Sequence, residues 1–397
     1  MSESSAAPRP SVAPRVDFGA KRLLLLGGGH AHVHVLEAFR RQPLAGAQAL
    51  LVSPFARQTY SGMVPGLVAG HYTPGACSIP LAPLAAAAHV SLVESSAVAL
   101  NVDARTVALA DGRVAEYDVL SIDTGPVMDR DAIPGAREHG LFVRPIEHFV
   151  QLFEGLLTLA AQRALDVVVV GSGLGGVELA LALAWRLRRL GGGSRVALVT
   201  GGGLPLTGSP PRFVQHGLHA LKRLGVTVLQ ESCVAVEERH VVLANGARVA
   251  CDAPVLAIGT SAPAWLAGSG LALDERGFVA TGPTLQSVSH PNVFAAGDVA
   301  TRTDAPHPKS GVHAVRAGPP LAANLRRFVG RGELLPYSPP ARTLNLLSCG
   351  GRRAIVSWGG WSAEGRWLWW WKDRIDRAFV KRFSVGTGRS RGTQSGA

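Results

Sequence analysis

Two glycine-rich turns carry the residue types and spacings in this chain that could do chemistry. In VVVVGSGLGGVELALAL, Gly171, Gly173 and Gly176 follow the pattern G-x-G-x-x-G between an apolar strand and a long predicted helix. Glycines at these points permit a tight turn, close approach of a phosphate and close approach of helix to strand. The helix N-terminus adds free N–H groups, so the pattern predicts a site for the pyrophosphate of a dinucleotide.

The strand that follows this turn does not carry the acid that often binds the ribose of a nicotinamide cofactor. It reads RVALVTGGG and ends at Thr200 and Gly201, with neither an acid for NADH nor an arginine directly there for NADPH. The sequence therefore does not distinguish NADH from NADPH, and it leaves weak binding of this cofactor open.

The first turn, in KRLLLLGGGHAHVHV, matches the same pattern in part. Gly27 and Gly29 stand at the first two glycine positions, but His32 replaces the third, and the next strand ends at Ser53. His32 is interpreted either as a hydrogen-bond donor beside a phosphate or as an imidazole packed at the start of the helix.

His30 and His34 flank this position with the i, i+4 spacing of one helix face. Such a pair could bind a metal ion, but Glu37 is the only neighbouring acid and no third ligand is evident. No metal site is expected.

Composition limits the class of protein. The 397 residues are 47% hydrophobic and 17% charged, the net charge is +12, and no dense basic block alternates with aromatics, so no nucleic-acid partner is expected. The four cysteines form no C-x-x-C pair, which favours a reduced, cytoplasmic setting. The first 17 residues have no apolar signal-peptide region, and no apolar run is long enough to span a membrane.

The repeated strand, glycine turn and helix predict an α/β protein with two Rossmann-like domains and a small C-terminal α+β region. The predicted boundaries are a disordered tail 1–18, a first dinucleotide-binding domain 19–125 and 285–335, a second dinucleotide-binding domain 126–284, a C-terminal region 336–384 and a disordered tail 385–397.

Two further motifs carry a family resemblance. The strand YDVLSIDTG ends in Thr124-Gly125, and NVFAAGDVA contains Gly297-Asp298. With the two glycine turns, in this order, the chain resembles the pyridine nucleotide-disulfide oxidoreductases, flavoproteins with two dinucleotide-binding domains. The resemblance implies FAD at the first turn and NADH or NADPH at the second.

Within that family, YSGMVPGLVAGHY and WWWKDRIDRAFVKRF are similar to segments of type II NADH dehydrogenases and, more closely, of the flavoprotein module fused to selenide, water dikinase. The residues that the glycine patterns and the resemblance assign to FAD are Gly27, Gly28, Gly29, His30, His32, Ser53, Tyr60, Thr124, Gly125, Gly297 and Asp298. Those assigned to NAD(P)H are Gly171, Gly173, Gly175, Gly176, Glu178, Thr200 and Gly259.

The implied activity is hydride transfer from NAD(P)H to flavin and electron transfer to a quinone or another small acceptor. The resemblance places Lys309, His313 and Arg316 near the flavin ring, where a cation would stabilise the reduced, anionic flavin. The alternative interpretation is that these three are solvent-facing turn and helix residues without a role in the reaction.

The cysteines bear on the alternative activities. Cys77 has no partner nearby in sequence, which disfavours a redox disulfide, although a meeting with Cys349 in space is left open. The alternatives are a slow flavoprotein partner in selenium or sulfur metabolism and an enzyme similar to sulfide:quinone oxidoreductase.

The C-terminal segment 367–383 is predicted to form a basic amphipathic helix rich in tryptophan. Its apolar face is predicted to contain Leu368, Trp371, Ile375, Ala378, Phe379 and Phe383, with Lys372, Arg374, Arg377 and Lys381 elsewhere. Two roles stay open: peripheral contact with the inner face of the membrane, and packing against the FAD domain or the partner in a homodimer.

Overall fold

The computed structural model describes residues 20–385. The predicted disordered tails, 1–18 and all but the first residue of 385–397, lie outside the described residues. The predicted domain boundaries are not tested by the fold and stay predictions.

The described chain alternates strands and helices through most of its length. The strands are β1 Lys21–Leu26, β2 Ala47–Ser53, β3 Arg57–Thr59, β4 Ser78–Pro80, β5 Val90–Glu94, β6 Ala97–Asn101, β7 Thr106–Leu109, β8 Val114–Glu116, β9 Val119–Ile122, β10 Leu141–Phe142, β11 Asp166–Val170, β12 Arg195–Val199, β13 Thr227–Leu229, β14 Cys233–Val236, β15 His240–Leu243, β16 Arg248–Ala250, β17 Ala253–Leu256, β18 Val279–Thr281, β19 Val293–Ala295, β20 Ala300–Arg302, β21 Asn345–Ser348, β22 Ala354–Trp358 and β23 Trp361–Gly365. The helices are α1 His30–Arg41, α2 Val64–Val68, α3 Leu81–Ala87, α4 Ala136–His139, α5 Ile146–Gln162, α6 Leu174–Leu190, α7 Pro211–Arg223, α8 Gly311–Val329 and α9 Arg366–Phe383.

The first sheet has the strand order β19-β9-β1-β2-β5, and all its pairs are parallel. The chain leaves β1 toward β2 on one side and returns to β9 on the other. In an open α/β sheet, such a reversal leaves a crevice beyond the carboxyl ends of the two central strands. The first glycine turn follows β1 directly and therefore lies at this crevice.

The second sheet repeats the plan with the order β10-β17-β11-β12-β13, again all parallel. Its central strand β11 leads into the second glycine turn, and the order reverses between β11 and β17. The predicted mixed α/β fold with two Rossmann-like units is confirmed.

The predicted C-terminal α+β region contains three antiparallel strands, β21 to β23. Helix α9 follows and matches the predicted segment to within one residue, but its predicted faces are only partly right, since Leu368 and Phe383 of the predicted apolar face are buried and other members are not. Trp371, Ile375 and Ala378 are exposed, whereas Lys372 is buried.

Buried charges explain this orientation of α9. Lys372 Nζ donates hydrogen bonds to the Gly62 carbonyl and to Asp376 Oδ2, at 2.6 Å from the latter. The Tyr72 hydroxyl donates to Asp373 Oδ1 at 2.6 Å. Because these partners lie in the segment between β3 and β4, Lys372, Asp373 and Asp376 turn inward. The predicted apolar face is thereby divided: Leu368 and Phe383 are buried, whereas Trp371 and Ile375 stay exposed.

A close contact between α1 and α8 holds the first sheet's helices together. A Cβ built on Gly318 of α8 would lie 2.6 Å from the Cβ of His34 on α1. The His34 ring in turn packs edge-on against Phe383, with ring centroids 4.7 Å apart. Since α9 blocks the histidine on its other side, the pair of helices has no room for a larger residue at position 318.

We therefore expect Gly318→Ala to lower the free energy of unfolding by about 1–3 kcal/mol, because overpacking forces the backbones apart. Gly155→Ala in α5 is the matched control, since a Cβ there meets nothing within 4 Å. It should raise stability by up to about 1 kcal/mol through helix propensity. Urea unfolding measures both, and an unchanged or raised stability for Gly318→Ala would contradict the close packing.

Candidate functional site

The first glycine turn is pressed against the end of β9. Gly27 has φ +90°, and a Cβ there would lie 2.4 Å from the carbonyl oxygen of Asp123. A Cβ on Gly29 would lie 2.4 Å from the carboxyl carbon of the same aspartate. Both glycines are therefore required by contact with protein, before any ligand is considered.

Asp123 is a site residue that sequence reasoning missed. Its side chain is buried, and its Oδ2 accepts a hydrogen bond of 2.8 Å from the backbone N–H of His32 in the first turn of α1. Burial raises the pKa of Asp123 to about 8, more than the hydrogen bonds from the N–H groups of His32 and Ala31 lower it. The available signal was an acid inside the otherwise apolar strand end VLSIDTG.

His32 packs behind the turn, which corrects the interpretation of it as a phosphate donor. It is 0% exposed, and its Nδ1 lies 2.6 Å from the Gly27 carbonyl and its Nε2 2.8 Å from Ser121 Oγ. Burial lowers its pKa to about 4, so the ring is neutral. Since a carbonyl can only accept, Nδ1–H donates to Gly27 and Nε2 accepts from the serine hydroxyl, which leaves no ring nitrogen for a ligand.

The flanking histidines pack on aromatic rings. His30 lies 5.5 Å from Tyr60 and 6.0 Å from Phe379 between ring centroids, and His34 contacts the same phenylalanine. Burial lowers the pKa of each histidine to about 4. Within residues 20–385, no three His, Cys, Asp or Glu side chains come together in a way that could hold a metal ion.

A cleft of about 650 Å³ opens from the first turn along the carboxyl end of the first sheet. The cleft is lined by eight residues that the sequence assigned to FAD and by Asp123: Gly27, Gly28, Gly29, His30, Ser53, Asp123, Thr124, Gly125 and Asp298. The structure thus brings together residues from four separate segments of the chain.

Cationic side chains around the same cleft were not anticipated. Arg57, Arg130 and Arg144 line it, and Arg144 lies 3.7 Å from Asp298 between side-chain nitrogen and oxygen. Glu147, also in the lining, accepts a 3.0 Å hydrogen bond from the Thr59 N–H. Arg130 and Arg144 lie in loops, Arg57 begins β3 and Glu147 lies in the first turn of α5, and no motif in the sequence marks them.

Other predicted residues lie outside the cleft. Tyr60 stacks on Phe379 of α9, with centroids 4.3 Å apart, and does not line it. Gly297, Lys309 and His313 line a small neighbouring cavity that shares Asp298 with the main cleft, whereas Arg316 is exposed and lines neither.

Lys309 is held by the protein in that smaller cavity. Its Nζ donates to the Ala300 carbonyl at 2.9 Å and to Thr301 Oγ1 at 3.1 Å, and it lies 3.6 Å from the centre of the Phe278 ring. Burial lowers the pKa of Lys309 to about 8, partly offset by Asp274. Its expected role beside a flavin ring stays a prediction.

The second glycine turn is likewise pressed against the end of a neighbouring strand. Gly171 has φ +141°, and a Cβ there would lie 2.2 Å from the carbonyl oxygen of Ala257 at the end of β17. A Cβ on Gly176 would lie 2.1 Å from the Gly171 carbonyl oxygen, which requires the close approach of α6 to the strand end. At Gly173 and Gly175 a Cβ would meet nothing within 4 Å, so the space in front of this turn is open.

Two residues assigned to the second site face other parts of the protein. Glu178 accepts a 2.7 Å hydrogen bond from the Ser348 N–H, and burial raises its pKa to about 7. The Thr200 hydroxyl donates to the Gly203 carbonyl, and the Leu229 carbonyl lies 3.3 Å away as the alternative acceptor. Both side chains are occupied by protein partners, which corrects their assignment as direct ligands; at Gly259 a Cβ would meet open space.

All four cysteines are free. Cys77 and Cys349 are buried in different hydrophobic clusters, and burial raises the pKa of the Cys77 thiol to about 12 and raises that of Cys349. A buried thiol with a raised pKa is a poor nucleophile.

Asp123→Asn tests the buried carboxyl through pH. The unfolded chain loses this proton near pH 4, whereas the folded protein keeps it to about pH 8, so the folded state binds more protons in between. The free energy of unfolding of the wild type, minus that of the variant, should therefore fall as pH rises from about 4 to about 8 and stay constant above that. The difference between wild type and Asp103→Asn, which alters an exposed acid, is the control. A wild type minus Asp123→Asn difference that is flat across this range contradicts the raised pKa.

Comparison with known proteins agrees with this geometry. The chain is 32% identical over 250 residues to an NADH dehydrogenase-like protein of Mycobacterium tuberculosis, which covers 58% of this chain and 61% of that protein. It is 26% identical over 297 residues to the demethylphylloquinone reductase of a Synechocystis strain, which covers 72% of this chain and 73% of that protein. The chain thus matches about three fifths of the length of the mycobacterial protein.

Solved structures share the fold. The sulfide:quinone oxidoreductase of Aquifex aeolicus aligns with a TM-score of 0.76 at 20% identity over 92% of both chains. The NDH2 of Plasmodium falciparum, solved with NADH, aligns with a TM-score of 0.76 at 13% identity over 92% of this chain and 98% of that one.

The family profile of the pyridine nucleotide-disulphide oxidoreductases matches residues 21–318, which contain both parallel sheets and both glycine turns. Members of this family use FAD and NAD(P)H. This chain therefore belongs to the pyridine nucleotide-disulphide oxidoreductase family.

Proposed function

We propose that the protein is an FAD-dependent oxidoreductase that accepts hydride from NADH or NADPH and passes electrons to a quinone or another small acceptor, without a redox disulfide. The observation that carries the proposal is the pair of glycine turns, each at the reversal point of a parallel sheet, with the first opening into the long cleft.

The first cleft fits FAD by size and by chemistry. Its volume of about 650 Å³ lies in the range of small-molecule sites. Within residues 20–385, no hydrogen bond occupies the backbone N–H groups of Gly28, Gly29 or His30, which stand where the N-terminus of α1 favours an anion. Arg57 and Arg144 add positive charge to the same lining.

Specific residues are assigned roles in holding this group. Gly28, Gly29 and His30 would hold the pyrophosphate, and Asp298 would accept a hydrogen bond from the ribityl chain. Burial raises the pKa of Asp298, while Arg144 and Lys309 lower it. Bound FAD would supply the two-electron chemistry, and the chain would orient it and shield it from water.

The second turn is proposed to hold NAD(P)H. The open space before Gly173 and Gly175 leaves room for a pyrophosphate at the N-terminus of α6. With the Thr200 hydroxyl occupied, ribose recognition at the end of β12 lacks the usual acid, which favours modest affinity for the nicotinamide cofactor.

A matched pair of glycine variants separates the two sites. Gly27→Ala should yield protein without bound FAD, because the added Cβ collides with Asp123 and strains a positive φ. Gly171→Ala collides with Ala257 in the same way, so it should stay yellow but be reduced by NADH at least about tenfold more slowly. Anaerobic stopped-flow absorbance measures both, and addition of a quinone should restore the oxidised spectrum of the wild type.

Two results would contradict the proposal. The proposal is wrong if the wild-type protein does not bind FAD. Gly171→Ala reduced as fast as wild type would remove the second turn from the reaction.

A second candidate is a slow flavoprotein partner that serves selenium or sulfur metabolism. The missing ribose acid at the end of β12 supports it, as does the sequence resemblance to the module fused to selenide, water dikinase. Rapid, repeated reduction by NAD(P)H with a small acceptor would exclude it. The free cysteines support a flavin that works without a disulfide, in contrast to the sulfide:quinone oxidoreductase-like alternative.

We also propose that the C-terminal region touches a membrane surface from the cytoplasmic side. Three tryptophans of α9, Trp367, Trp370 and Trp371, are 59%, 54% and 42% exposed. Trp358 and Trp361, at the turn between β22 and β23, are exposed as well. Tryptophan is favoured where an apolar surface meets lipid headgroups. Between residues 20 and 385, no helix is long and apolar enough to cross a membrane.

The triple variant Trp367→Ser, Trp370→Ser and Trp371→Ser should bind neutral phosphatidylcholine vesicles at least about tenfold more weakly, because it loses exposed apolar area. The control is Leu152→Ser with Leu159→Ser, which removes exposed apolar side chains from α5. Vesicle sedimentation measures all three proteins. Equal binding by wild type and triple variant would favour packing against a partner subunit instead.

A further inference from the structure

A second cleft, of about 610 Å³, lies between α6, the turn after β21 and the start of α9. It shares no lining residue with the cleft at the first glycine turn. Half of its ten lining residues are arginines from three separate elements: Arg186, Arg189, Arg352, Arg353 and Arg366.

The positive charge in this cleft is largely uncompensated. No carboxylate lines it, and Arg353 alone of the five has an acidic partner in the described chain, Glu364 at 3.0 Å. That glutamate also pairs with Arg223 at 2.8 Å. Like charges gathered in one concave site repel one another, and a bound anion would relieve this repulsion.

The guanidinium groups are held in place by the protein. Arg189 lies over the Trp185 ring, 5.7 Å from its centroid, and Arg352 lies 5.5 Å from that of Trp369. A guanidinium that stacks by its face keeps its edge N–H groups available. The Nε of Arg186 is buried and has no hydrogen-bond partner within the described part of the chain.

The backbone around the cleft is equally constrained. Gly350 has φ +76°, and a Cβ there would lie 2.7 Å from the Cβ of Trp185. A Cβ on Gly70 would lie 2.1 Å from Arg186 Nη1. The His71 ring donates a hydrogen bond from Nε2 to the Gly350 carbonyl. Burial lowers the pKa of His71, and the nearby charges of Arg352 and Arg189 lower it further. The loops therefore hold the arginines in a formed site.

We propose that this cleft binds a phosphate-bearing anion. The planar, five-donor guanidinium matches phosphate oxygens in pairs, and several such groups favour a ligand with more than one negative charge. Two sources share this chemistry: a soluble diphosphate and the headgroup of an anionic lipid. Arg366 adjoins the exposed Trp367, which would place a lipid headgroup beside an aromatic surface.

The test uses the full FAD-loaded protein and two probes, inorganic pyrophosphate by titration calorimetry and phosphatidylglycerol vesicles by sedimentation. Arg186→Gln with Arg352→Gln should weaken binding of whichever probe binds the wild type at least about tenfold, since charge-assisted hydrogen bonds are lost. Arg189→Gln with Arg366→Gln, both exposed, should do the same and guards against a folding defect in the first pair.

The control pair, Arg327→Gln with Arg331→Gln, removes the same charge from exposed positions at the end of α8. Loss of pyrophosphate binding in the cleft variants alone assigns the site to a soluble diphosphate. Loss of phosphatidylglycerol binding in those variants alone assigns it to a lipid headgroup. The proposal is overturned if neither probe binds the wild type, or if the cleft and control pairs weaken binding equally.

Discussion

The buried carboxyl of Asp123 is the contact on which the first site depends. It lies at the carboxyl end of β9, beneath the glycine turn, and three glycines from two distant segments have no room for a side chain beside it. Gly27 and Gly29 approach it from the turn, and a Cβ on Gly297 would lie 2.7 Å from its Oδ1. The aspartate therefore sets the distance between β1, β9 and the segment after β19.

The same carboxyl also sets the start of α1. By accepting the His32 N–H, it occupies an inner donor of the helix N-terminus and leaves those of Gly28, Gly29 and His30 facing the cleft. The raised pKa matters here because a neutral carboxyl does not repel an anionic pyrophosphate. His32 completes the arrangement by bridging the Gly27 carbonyl and Ser121, so the imidazole ties the turn to β9 where the third glycine would have allowed close packing.

The architecture could be predicted because local sequence patterns determine it. Apolar strands that run into glycine turns and helices specify two parallel sheets, and Gly27, Gly171 and Gly176 are needed for contacts that the pattern itself describes. The side-chain partners could not be predicted, because they arise between distant segments. Glu178 follows a glycine turn in sequence, yet its side chain accepts a hydrogen bond from the Ser348 N–H of β21, far along the chain.

Helix α9 shows the same limit. Periodicity placed its apolar residues on one face, but a buried Lys372–Asp376 pair and the Tyr72–Asp373 hydrogen bond determine which face turns inward. The i, i+4 spacing of Lys372 and Asp376 was a visible signal of a salt bridge. Its burial follows from the loop that carries Gly62, which no local pattern reveals.

We propose that the first turn is a preformed cofactor site, with free backbone N–H groups that face a cleft suited to an anionic dinucleotide. A crystal structure of the protein with FAD tests it most directly. We expect the pyrophosphate within hydrogen-bond distance of the Gly28, Gly29 and His30 N–H groups, the dinucleotide along the cleft toward Asp298, and an unmoved His32 ring. A pyrophosphate bound elsewhere, or a His32 ring rotated out to contact it, would contradict the account.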